Sequence, residues 1–206
     1  MSKVKVWLGG EGPSELGDRD HPGGQRVGAI EALLAKAEPD GWFVAGATAW
    51  RRIRKFRVRA ALGRENHGDI HNVAGLVNEA YENACEVVAF ARDTDSDHQR
   101  VDAVAQGIAR AREVFPGVGI VGGSALPTIE AWILALRHVP HTESMSRVRV
   151  NELIAAQGLA GKHPEAYVEV IANADLTVLP AGCDRLGEWI QTARSVLARA
   201  VRGTPG

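Results

Sequence analysis

Val87-Val88-Ala89-Phe90-Ala91-Arg92-Asp93-Thr94-Asp95-Ser96-Asp97 decides how this chain is read. A short apolar run ends in three carboxylates spaced two apart. The run, 86–91, has the length and composition of a strand buried on both faces, as in a parallel sheet covered by helices. The carboxylates then stand at the carboxyl edge of that sheet, where open α/β folds bind their ligands. Three negative charges this close repel one another unless protons or a cation neutralise them. A hard divalent ion held by oxygens, Mg²⁺ or Mn²⁺, is the neutraliser this donor set suggests at neutral pH.

Working outward, residues 3–8 alternate and then turn apolar, which predicts a first strand. It runs into Gly9-Gly10-Glu11-Gly12-Pro13-Ser14-Glu15, a turn whose glycines bring Glu11 close to whatever the loop faces. Helical spacing covers 27–37, a second strand 42–46, and another helix 71–84, with 66–69 as a turn. Between them lies a basic segment with Arg51, Arg52, Arg54, Lys55, Arg57, Arg59 and Arg64. After the acidic cluster come a helix over 99–115 and a fourth strand over 118–121. A loop over 122–126 follows, and Pro127 suits the first turn of a helix carrying Glu130. Beyond Pro140 helices dominate, at 147–157, 164–173 and 186–201. The expectation is one α/β domain over 1–140, with a basic insertion around 48–70 and a helical extension over 141–206 packed on it.

The totals agree with that outline. A chain of 206 residues, 45% apolar, suits one domain with an appendage. A net charge of −1 predicts neither attraction to nucleic acid nor repulsion from it, so local clusters decide. Two distant cysteines, Cys85 and Cys183, fit a reducing compartment without a disulfide framework. No leader pattern and no membrane-length apolar run is present, which points to the cytoplasm and to no membrane partner.

Separate acidic elements fall at strand ends: Glu11 after the first strand, Asp93, Asp95 and Asp97 after the third, and Glu130 after the fourth. In a parallel sheet these meet in one crevice. Such carboxylates can hold one or two ions for phosphoryl transfer, with basic groups gripping a polyanion. Each element also has a plain structural reading. The aspartates suit a solvated loop and a helix N-cap, Glu130 suits a helix N-terminus, and the arginines suit an exposed face.

The constellation resembles Toprim domains. Glu11-Gly12-Pro13-Ser14-Glu15 resembles their EGxT/SE signature, and Asp93-Thr94-Asp95 resembles their DxD. Leu126-Pro127-Thr128-Ile129-Glu130-Ala131-Trp132-Ile133-Leu134-Ala135 is similar to the IEAWLLA segment of small stand-alone Toprim-like proteins. Those are related to the nuclease domains of the OLD and RloB-type families, often linked to phage defence. The resemblance spans 3–136. It implies a Toprim-like, Rossmann-like parallel sheet and Mg²⁺- or Mn²⁺-dependent cleavage of DNA or RNA. Glu11 would be a metal ligand or acid/base, Asp93 and Asp95 metal ligands, and Glu130 the carboxylate for a second metal. Lys162 matches, by chain order, the downstream lysine of those nucleases. There is no ATPase domain of the kind OLD proteins carry, so the expectation is either action with a separately encoded ATPase or defence partner, or action that needs none.

Two other readings stay open. A non-catalytic or regulatory subunit of a defence or toxin–antitoxin system would keep the fold and use the arginines to bind a partner. A haloacid-dehalogenase-like phosphatase would use the DxD with Asp93 as nucleophile, although that motif normally ends a first strand.

Overall fold

The computed structural model describes residues 3–54, 56, 68–95, 97–159, 161 and 163–203. Strands β1 (Val4–Gly10), β2 (Trp42–Ala49), β3 (Val87–Asp93) and β4 (Gly119–Ala125) form a parallel sheet in the order β2-β1-β3-β4. The helices among the described residues are α1 (Pro13–Leu16), α2 (Ala29–Ala37), α3 (Gly68–Glu82), α4 (His98–Val114), α5 (Ile129–Leu136), α6 (Arg147–Ala156), α7 (Pro164–Asn173) and α8 (Asp184–Gly203). None of them is long and apolar enough to cross a membrane.

Alternation along the strands explains the three layers. Val4, Val6 and Leu8 of β1 and Val87, Ala89 and Ala91 of β3 point to one face, against α2, α5, α7 and α8. Val88 and Phe90 point to the other, against α3 and α4. β3 is buried from Val87 to Ala91, so both of its faces need apolar side chains. The C-terminal helices add Tyr167, Leu186, Trp189, Ile190 and Leu197 to the same cluster as the sheet. Trp189 also donates its indole N–H to the Phe90 carbonyl at 2.9 Å, which fastens α8 to β3.

The connections set where ligands can reach. From β1 the chain passes through α2 to β2 on one side. From β3 it passes through α4 to β4 on the other, with α2 and α4 on opposite faces. Direction therefore reverses between β1 and β3, and the gap at their carboxyl ends is the switch point of this sheet.

Several expected boundaries move. β4 runs to Ala125 instead of ending at 121, because Gly122, Gly123, Ser124 and Ala125 stay in register with Phe90, Ala91, Arg92 and Asp93. The glycines that suggested a loop serve packing instead: a Cβ on Gly122 would lie 2.2 Å from the Phe90 ring. β3 likewise continues through Asp93, and β2 to Ala49. Pro127 does not open α5. It follows a cis peptide bond and precedes the N-cap, Thr128.

Candidate functional site

Glu11 follows β1 directly, and its position is set by its neighbours. Its backbone N–H donates to the Glu15 carboxylate on α1. Gly10 makes room for that contact, since a Cβ there would stand 2.7 Å from the Glu15 oxygen. Glu15 thus closes the loop and is itself buried. Asp93 is the last residue of β3, the strand paired with β1. Glu11 and Asp93 therefore leave the sheet at the same edge, on either side of the switch point.

Guanidinium groups interleave with the carboxylates there. Arg92 pairs with Glu11 through Nη1 and with Asp69 through Nε, the latter at 3.1 Å. Arg100 reaches the other Asp69 oxygen at 3.3 Å and Asp95 at 2.9 Å. Arg147, on α6, pairs with the remaining Asp95 oxygen. The result is a ladder of alternating sign: Glu11, Arg92, Asp69, Arg100, Asp95, Arg147. Asp69 anchors it, because it also accepts the Trp50 indole N–H at 2.9 Å. Arg92 lies 5.1 Å from the centre of that indole ring, a cation–π distance. Burial and the nearby Arg100 pull the Arg92 guanidinium down to about 10, still charged at neutral pH.

Behind the ladder the acids are enclosed. Asp93 accepts the Ile129 backbone N–H at 2.8 Å. Glu130 is 1% exposed and accepts the Tyr167 hydroxyl at 3.4 Å. Burial raises the Tyr167 phenol well above its ordinary value, and the charges of Glu130 and Asp93 add to the rise. Tyr167 is therefore a neutral donor facing two acids. Asp95 takes a left-handed conformation at φ 51°, which aspartate tolerates better than most residues. The backbone N–H groups of Thr94 and Asp95 both donate to the Pro127 carbonyl, at 3.0 and 2.9 Å. The DxD turn is thus tied to the β4–α5 connection.

The residues singled out from sequence separate into groups. Glu11, Asp93 and Asp95 share the rim. Glu130 stands behind them, buried against Tyr167. Asp97 caps α4, accepting the Gln99 N–H at 2.9 Å. Arg51, Arg52 and Arg54 are exposed after β2, with Arg52 turned to Asp20 at 3.2 Å. Lys55, Arg57, Arg59 and Lys162 lie outside the described residues.

Sequence reasoning passed over Asp69, Arg92, Arg100, Arg147 and Tyr167. Only Arg92 carried a signal, since a cation inside an otherwise apolar strand needs a partner. No family model, no curated protein and no solved structure matches this chain.

Proposed function

We propose that this chain hydrolyses nucleic-acid phosphodiester bonds at the Glu11–Asp93–Asp95 rim with a divalent ion, as the Toprim resemblance implies. The observation that carries the reading is the delivery of Glu11 and the DxD by adjacent parallel strands at the sheet's switch point. That is where α/β sheets gather catalytic groups from distant parts of a chain.

The donor chemistry fits a hard ion, because the rim offers carboxylate oxygens. Among the described residues no three Asp, Glu, His or Cys side chains form a group that could hold a metal; arginines stand between the acids. Mg²⁺, however, is commonly held by one or two carboxylates plus substrate phosphates instead of an all-protein cage. Glu11 and Asp95, with side chains 35% and 40% exposed, are the accessible ligands, and Asp93 lies behind them. When bound, the ion would polarise the phosphate and acidify the attacking water. Glu11 would be either a ligand of that ion or, with Asp95 alone as the accessible ligand, the general base that takes the water proton. Arg100 and Arg147 would turn toward phosphate oxygens once Asp95 is engaged, as guanidiniums suit oxyanions. The exposed Arg51 and Arg54 follow Trp50, whose ring lies 5.1 Å from Arg92, and would extend the grip along a strand.

One observation favours a non-catalytic subunit as the second reading: every acid of the ladder is paired with a guanidinium. Purified protein with Mg²⁺ or Mn²⁺ should cut plasmid, single-stranded DNA or RNA, and Glu11→Ala and Asp93→Asn should each lower cutting about 100-fold or more. Cleavage that neither substitution lowers rejects the site. No cleavage, together with no rise in melting temperature on adding Mn²⁺, supports the second reading.

A further inference from the structure

The two edges of the sheet differ. β2 is irregular, with a register shift against β1 between Val6 and Trp7, a device that discourages further pairing. β4 pairs with β3 in unbroken register from Gly119 to Ala125. Its outer side has no strand partner among the described residues. The sequence Gly-Ile-Val-Gly-Gly-Ser-Ala contains no charge and no proline to blunt that edge. Instead a groove follows it between α4 and α8. Near the carboxyl end of β4, Gly122, Gly123 and Ser124 border a cavity of about 220 Å³. Near its amino end, Gly119 and Ile120 border one of about 680 Å³.

Charge divides along the groove. Asp102 on α4 and Glu188 on α8 outweigh Arg185, which pairs with Glu188 at 3.1 Å, at the carboxyl end of β4. Arg112 on α4 and Arg199 on α8 outweigh Glu86 at the amino end. Asp102, Glu188, Arg112 and Arg199 are all exposed. A two-fold axis normal to the sheet would set β4 antiparallel to a second β4 while keeping each helix layer on its own side. Asp102 would then face the second copy's Arg112, and Glu188 its Arg199. A surface self-complementary in this way is what an isologous contact needs.

We infer that the β4 edge is a homodimer interface, in which β4 strands of two copies pair antiparallel and extend the sheet across both. Backbone hydrogen bonds supply the pairing, and the helix charges set its direction and register. The two Glu11–Asp93 rims then face opposite ways, so each copy engages ligand separately. This inference does not depend on the proposed hydrolysis.

Charge variants test it, because these exposed residues can change without disturbing the core. Arg112→Glu with Arg199→Glu makes both ends of the groove acidic on balance. Asp102→Arg with Glu188→Arg makes both basic on balance. In light scattering after size exclusion at tens of micromolar, the unaltered protein should have twice the 22.0 kDa chain mass. Each double variant should be monomeric alone, and an equimolar mixture should return to the dimer mass. A monomeric unaltered protein, double variants that stay dimeric, or a mixture that stays monomeric would overturn the inference.

Discussion

The rim has two halves that treat the same chemical groups differently. On the outer half, Glu11 and Asp95 are partly exposed and paired with Arg92, Arg100 and Arg147. On the inner half, Asp69, Asp93 and Glu130 are buried and held by an indole, backbone N–H, a phenol or clustered arginines. Partly exposed ion pairs contribute little to stability and exchange partners readily. Buried charges are costly to strand and so hold their geometry. The comparison teaches that ion pairs can exchange partners more easily in the outer half, while the inner half fixes the shape.

The strongest way to break that contrast is Asp69→Ala. It leaves two guanidiniums and an indole N–H without their shared acceptor, so we expect a loss of about 3–5 kcal/mol in urea unfolding. A cost close to zero would show the inner half to be dispensable.

Next comes Asp93→Asn, which keeps an acceptor for the Ile129 N–H. Stability should change little, while cleavage falls about 100-fold or more, the scale of losing a key electrostatic group. A parallel collapse of stability would move Asp93 wholly to the structural side.

Tyr167→Phe removes the phenol that donates to Glu130. A loss of about 1–3 kcal/mol is expected, because a buried acceptor loses a hydrogen bond. Differential scanning calorimetry reads it directly.

Arg147→Ala should cost under about 1 kcal/mol, since the pair with Asp95 is half exposed. The same substitution should change the Mn²⁺ concentration needed to raise the melting temperature. An unchanged Mn²⁺ response would mean that the outer half does not exchange.

The smallest effect is expected at a half-buried carboxylate outside the ladder. Glu143 accepts the backbone N–H groups of Arg185 and Leu186 at the start of α8, at 3.0 and 2.9 Å. Burial raises its carboxyl, outweighing those hydrogen bonds. The folded protein then holds this proton to higher pH than the unfolded chain. Its contribution is full below the unfolded glutamate value of about 4.3 and is lost as pH rises through the folded one. Glu143→Gln should flatten that part of the stability–pH curve, as melts in acid and neutral buffer would reveal.

Local pattern alone determined much of this protein. The apolar run at 87–91 and the helical spacings around it encode a parallel α/β sheet, because burial on two faces leaves a strand no polar alternation. The positions of Glu11 and Asp93 at strand ends were legible for the same reason. The residues that neutralise those acids were not. Asp69 comes from the start of α3, Arg100 from α4, and Arg147 from α6, so they meet only when the helices pack. Asp97 and Asp95 look equivalent in sequence, yet one caps a helix and the other joins the ladder, because α4 begins at His98, directly after Asp97. The glycines of β4 read as loop until Phe90 fills the space above Gly122. Strand identity is written in neighbouring residues and their hydration, whereas the partner of each charge depends on distances that only the folded chain creates.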